Sequence, residues 1–158
     1  MLKVNLNTIF ERTLSLSEYL DKMAEPFKEK FLGKKQEYQL NEKITKQLKN
    51  YVKDIVIVIF SAEWCKYCPS YVSVLALLTE KTGIKVRVFG GLKTNPLKPK
   101  ETWRIPPSPP EVKTFDVQET PHIIIFNKSG NQLGIINEST KTKNVLEEEI
   151  FHIIMQGT

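Results

Sequence analysis

Residues 54–70 read D-I-V-I-V-I-F-S-A-E-W-C-K-Y-C-P-S. The run from residue 55 to residue 60 is unbroken, β-branched and aromatic. An apolar run this short reads as a buried strand of a mostly parallel sheet, covered on both faces. Past the cysteines, Val72, Leu75, Leu78 and Thr79 recur at helical spacing as far as Gly83. The chain therefore goes strand, sharp turn with Cys65-Lys66-Tyr67-Cys68, then helix from about residue 69 to residue 82. That turn places Cys65 at the amino end of the helix, where unpaired N–H groups and the macrodipole favour negative charge. Only the thiolate is a nucleophile, and such a position lowers a thiol pKa from about 8.5 into a range of roughly 3.5–7.5. Dithiol–disulfide exchange is the chemistry this stretch points to.

Working outward, residues 84–89 alternate apolar Ile84, Val86 and Val88 with basic Lys85 and Arg87, a second strand. Strand–helix–strand order makes the two strands parallel, joined by a right-handed crossover, and Gly90-Gly91 breaks the second. Residues 92–114 are rich in proline (Pro96, Pro99, Pro106, Pro107, Pro109, Pro110) and read as a surface insertion of extended geometry, without sheet or long helix. Ligands of open α/β sheets bind beyond the carboxyl ends of the strands, so the insertion is expected beside the thiols. Glu119-Thr120-Pro121 leads into a strand at 122–126, K-S-G-N at 128–131 signals a hairpin, and residues 132–136 return antiparallel. A last helix is capped by Ser139 or Thr142. It turns Leu146, Ile150, Ile153 and Ile154 inward and carries Glu147, Glu148 and Glu149 in its first turns.

Upstream, Leu2, Leu6, Ile9 and Phe10 are spaced for a short amphipathic helix, and Ser15-Leu16-Ser17-Glu18 has the form of a capping box. Leu16, Tyr19, Leu20, Met23, Phe27 and Phe31 share one helical face, which Pro26 kinks or interrupts and Gly33 ends, with Lys34 and Lys35 following. Asn41 caps a further helix with Ile44, Leu48, Tyr51 and Val52 inward. Residues 1–53 thus form a helical extension packed on the rest, its aromatics core residues, and residues 1–158 form a single domain.

Composition narrows the function. The chain has 158 residues, 41% hydrophobic and 26% charged, as an ordinary globular protein has. Its start is too polar for a signal peptide, and no apolar run approaches the ~20 residues that span a bilayer. A soluble, cytoplasmic protein with no membrane association is expected. Two cysteines in one C-x-x-C make no disulfide framework; in a reducing compartment they are catalytic or metal-binding. The net charge of +5 comes from lysines scattered among glutamates, a solvated surface with no nucleic-acid role.

The order strand, W-C-x-x-C, helix, strand, Thr-Pro, hairpin, helix resembles the thioredoxin family. The matching stretches are I-V-I-F-S-A-E-W-C-K-Y-C and F-D-V-Q-E-T-P-H-I-I-I-F-N-K-S-G-N, within residues 54–156. The upstream helices, with Ser17-Glu18-Tyr19-Leu20, are similar to a group of helix-prefixed thioredoxin-like proteins. The resemblance implies an α/β thioredoxin fold: a central mixed β-sheet flanked by helices, here with an N-terminal helical extension and the Pro-rich insertion at 92–114. It implies that Cys65 is the exposed nucleophile and that Cys68, one turn inward, resolves the mixed disulfide. Pro121 would be the cis-proline facing the cysteines, and Thr120 would offer backbone groups to a bound peptide lying as an added strand. Trp64 would form an apolar rim, and Tyr67 would contact substrate or cover the turn. The implied activity is thiol–disulfide oxidoreduction on protein disulfides, with electrons from a reductase or small thiol, without cofactor or metal, in a monomer or weak dimer.

Two departures from the family bear on mechanism. Lys66 and Tyr67 stand where well-known members carry Gly-Pro, and the Lys66 ammonium is expected to help hold the Cys65 thiolate. Ile59 stands where the family often buries a carboxylate beneath the second cysteine, so proton transfer from Cys68 needs water or another group. Two rival readings remain open. One is a metal site shared between chains, since structural zinc takes four ligands and His122 and His152 are the only histidines. The other is a thioredoxin-like protein-binding module in which Trp103 and Arg104 of the insertion recognise a partner.

Overall fold

In a computed structural model of the chain, residues 3–92, 97 and 108–157 are described. They form α1 (Leu6–Arg12), β1 (Leu14–Ser15), α2 (Leu16–Lys22), α3 (Phe27–Glu37) and α4 (Glu42–Leu48), then a 3-10 turn at Val52–Asp54. The rest is β2 (Ile55–Phe60), α5 (Cys68–Thr82), β3 (Lys85–Phe89), α6 (Glu111–Thr114), β4 (His122–Asn127), β5 (Gln132–Asn137) and α7 (Leu146–Gly157).

One five-stranded sheet has the order β1-β3-β2-β4-β5. β2 and β3 run parallel, and the other three pairings are antiparallel. All six residues of β2 are buried, which is what a continuous apolar strand with both faces covered requires. Arg87 donates to the carbonyls of Phe10 and Thr13 and to the Thr13 hydroxyl, and its guanidinium lies 5.1 Å from the centre of the Phe10 ring, which fixes α1 over the strand. The two-residue β1, beyond the reach of any periodicity argument, pairs with β3 just after α1.

Local signals explain most helix ends. Asn5, Ser15 and Asn41 cap α1, α2 and α4, and Ser15 with Glu18 completes the capping box. Pro26 separates α2 from α3, and Gly83 closes α5 at φ 77°. Gly33, expected to end a helix, does not: α3 continues to Glu37. Glycine inside a helix costs roughly 0.5–1 kcal/mol, which is offset here because α3 lies along α5 with Phe31 buried and Lys35 paired to Glu80. α4 stops at Leu48, so Tyr51 and Val52 pack partly buried from the turn that follows rather than from the helix. Neither Ser139 nor Thr142 caps α7. Ser139 is bound to Glu119, the Thr142 hydroxyl accepts from Asn144, and the Thr142 N–H donates to Glu149, which reaches back from the helix.

Of the segment at 92–114, Leu92 is buried and α6 closes the far end, with Val112 buried and Glu111 paired to Arg12 of α1. Residues 93–96 and 98–107, including Trp103 and Arg104, lie outside the described residues, as does the expectation that they flank the thiols. Among the described residues no helix is long and apolar enough to cross a membrane.

Candidate active site

β2 ends in Phe60 and hands the chain through Ser61 and Ala62 into a tight turn, in which the Cys65 N–H donates to the Ala62 carbonyl at 3.2 Å. α5 then starts at Cys68 with Pro69 in its first turn, where a missing N–H costs little. Both thiols are free. Cys68 is fully buried, and Cys65, expected to be exposed, retains only 5% of its accessible surface. Around its sulfur stand the Thr120 hydroxyl and the amides of Tyr67 and Cys68, which donate to it.

These contacts set the electrostatics. The Cys65 pKa is lowered to about 6, chiefly because the Cys68 thiol donates to it; burial opposes, and Thr120 and the two amides add to the lowering. The Cys68 pKa is raised, first by burial and then by the neighbouring Cys65, against weaker help from the Ala62 amide and the Ser61 hydroxyl. The pair is thus divided into one sulfur ionised near neutrality and one that keeps its proton. Lys66 takes no place among the principal groups that lower Cys65: its ammonium sits 5.3 Å from the centre of the Tyr67 ring. The helix terminus acts on the sulfur through its amides; the lysine, turned onto an exposed ring, does not.

The Thr120–Pro121 peptide is cis and Pro121 is buried. Trp64 is 52% exposed, and its indole N–H donates to the Leu92 carbonyl at 3.4 Å, at the root of the Pro-rich segment. Trp64 and Glu63 also line an open cavity of about 520 Å³ with Pro26, Phe27, Glu29 and Lys30. His122 is buried edge-on to Phe60; its Nδ1 lies 3.3 Å from the Asn137 amide, its Nε2 has no partner, and burial lowers its pKa. His152 stands on α7 beside Glu148. Among the described residues no three His, Cys, Asp or Glu side chains gather as metal ligands.

Sequence reasoning missed two residues. Ser61 is hydrogen-bonded to Cys68, and the Tyr19 hydroxyl lies 2.9 Å from the Ser61 hydroxyl. Tyr19 was read as a core aromatic, and it is buried. The available signal was its hydroxyl, since a buried tyrosine usually finds a polar partner.

A parallel strand pair bracketing a C-x-x-C helix, then a cis X-Pro, a β-hairpin and a final helix on one mixed sheet, defines a thioredoxin-like protein. Within that class the chain belongs to the TraF family: the family model described as "TraF: F plasmid transfer operon protein" matches residues 10–151, most of the helical extension included. No curated protein matches the chain. Among solved structures, a protein of unknown function from Pseudomonas aeruginosa aligns at 11% identity and TM-score 0.66, covering 97% of this chain and 94% of that one. An HIV epitope scaffold aligns at 9% identity and TM-score 0.72, covering 98% and 100%. A thioredoxin variant from Halobacterium salinarum aligns at 18% identity and TM-score 0.44, covering 76% and 87%. At these identities the first two likenesses are likenesses of fold.

Proposed function

We propose that the protein is a thiol–disulfide oxidoreductase that exchanges its dithiol with protein disulfides. The observation carrying this is the division of the two thiols, Cys65 held near 6 by donors in contact and Cys68 held protonated beneath it. In the first step the Cys65 thiolate attacks a target disulfide, forming a mixed disulfide and releasing one target thiolate. In the second, Cys68 gives up its proton and attacks Cys65; the Cys65–target bond breaks and its electron pair leaves with the second target sulfur. A reductase or a small thiol returns two electrons to the Cys65–Cys68 disulfide. No organic cofactor takes part. Thr120 would present backbone groups to the target segment, and Trp64 and Tyr67 an apolar rim. We place the activity in the cytoplasm, in a monomer or weak dimer.

Replacing Cys68 by serine tests the reading. Cell extract passed over Cys68→Ser protein should yield proteins bound through Cys65 and released by dithiothreitol. Recovery of none, with Cys65 still alkylatable, would reject exchange in favour of a binding module. Stoichiometric zinc with both thiols protected would reject it in favour of a shared metal site.

A further inference from the structure

The second step has an unmet requirement. Cys68 is buried and disposed to keep its proton, yet it must lose that proton to attack, and among the described residues no carboxylate is one of the principal groups acting on it; Ile59 of β2 is wholly buried and apolar. What stands there instead is a pair of hydroxyls. Ser61, fully buried after β2, is hydrogen-bonded to Cys68 on one side and to Tyr19, at 2.9 Å, on the other. Tyr19 comes from α2 in the helical extension. Its ring meets Phe31 edge-on at 6.2 Å and lies close to Gly90, where an added Cβ would be 3.0 Å from Tyr19 Cε1. Tyr19 also lines an open cavity of about 300 Å³ whose other walls include Arg12, Lys22, Glu63 and Gly91. Sulfur, hydroxyl and hydroxyl follow one another in space, and the residue at the end of the row borders the cavity.

We propose that Ser61 and Tyr19 form a relay that carries the Cys68 proton to the Glu63-lined cavity during resolution of the mixed disulfide. The inference rests on the exchange reading above. A hydroxyl both donates and accepts, so neither residue need ionise. Cys68 Sγ–H passes its proton to Ser61 Oγ, the Ser61 proton moves to Tyr19 Oη, and the Tyr19 proton goes to solvent in the cavity. The Cys68 sulfur then bonds to Cys65 Sγ as the Cys65–target bond breaks, and the departing target thiolate takes up a proton from solvent. Proton and electron counts close without another reactant. The relay also gives the helical extension a part in chemistry: Tyr19 is a positioning and proton-passing residue, not one that touches the target.

Stopped-flow reaction of the reduced full-length protein with a bis(nitrobenzoate) disulfide separates the two steps. Attack by Cys65 depends on reagent concentration, whereas release of the second coloured thiolate by Cys68 does not. Positioned proton transfer contributes roughly 10²–10⁴-fold in general, so Tyr19→Phe should slow the second phase by about tenfold or more at neutral pH. Its rate should then climb in proportion to hydroxide, and its solvent deuterium isotope effect should differ from wild type. Ser61→Ala should slow it further. Gly90→Ala, which displaces the Tyr19 ring without removing the hydroxyl, should slow it in the same sense and carries the test if Tyr19→Phe does not fold. A second phase in Tyr19→Phe with the wild-type rate and pH profile would overturn the relay, even if Ser61→Ala is slow. Absence of any second phase in the wild type would instead overturn the exchange reading.

Discussion

Five effects decide the ionisation of Cys65, and four of them are hydrogen-bond donors: the Cys68 thiol first, then the Thr120 hydroxyl and the amides of Cys68 and Tyr67, with burial opposing. Contact donors fix a charge more firmly than an exposed ammonium does, because water screens the latter. Thr120→Val should therefore raise the Cys65 pKa from about 6 toward the ordinary thiol range, while Lys66→Ala should move it little. The pH dependence of Cys65 alkylation measures both, and an equal or larger shift in Lys66→Ala would restore the lysine to the site. Stability follows with a definite sign. A folded pKa near 6 lies below the ordinary unfolded value of about 8.5, so the contribution is fully present above the unfolded value. It is lost as pH falls through the folded pKa. Urea unfolding of the reduced protein, relative to Cys65→Ser, should show stability rising between about pH 6 and about pH 8.5, by up to about 1.4 kcal/mol per pH unit. The raised pKa of Cys68 acts oppositely, but only above the unfolded thiol value and so outside that window.

Element by element, the helical extension is joined to the far end of the chain. Glu147, in the first turn of α7, is buried and accepts from the Tyr38 hydroxyl at 2.6 Å and from the Asn41 N–H at 2.8 Å, just after α3 and just before α4. Removing one donor leaves a buried carboxylate oxygen without its partner, so Tyr38→Phe should destabilise the fold by about 1.5–3 kcal/mol in urea or thermal unfolding. A cost within experimental error would mean that water replaces the phenol. The β4–β5 hairpin has a similar tie: Gly130, at φ 87°, sits where a Cβ would collide with the Val4 carbonyl oxygen, and its own carbonyl accepts from the Val4 N–H at 2.8 Å. Glycine at 130 was legible as turn chemistry, but Val4 as its neighbour was not.

Across the whole molecule one apolar core includes Leu16, Tyr19, Met23, Phe31 and Leu48 of the extension together with β2, β4 and α5. α3 and α4 pack along α5, and β1 covers an edge of the sheet. A chain beginning at residue 54 would expose the face of α5 against which α3 and α4 pack and would leave β3 an open edge. It should lose cooperative unfolding and bind hydrophobic dye, whereas the full chain should unfold in one transition. A truncated chain with a sharp transition near that of the full protein would show that the extension is an appendage.

Local sequence sufficed wherever a rule acts within a few residues. Period and composition placed β2, α5, β3, the β4–β5 hairpin and α7. Ser15 and Asn41 announced their caps and Pro26 the break between helices, and the spacing of Cys65 and Cys68 before a helix announced the dithiol. What depended on tertiary packing is of another kind. Gly33 stays helical because α5 supports it, Arg87 is drawn under α1, and Cys65 accepts from the Thr120 hydroxyl. Ser61 and Tyr19, 42 residues apart, meet beneath Cys68. Each of these is a contact between groups distant along the chain, and its energy exists only once the sheet has brought them together.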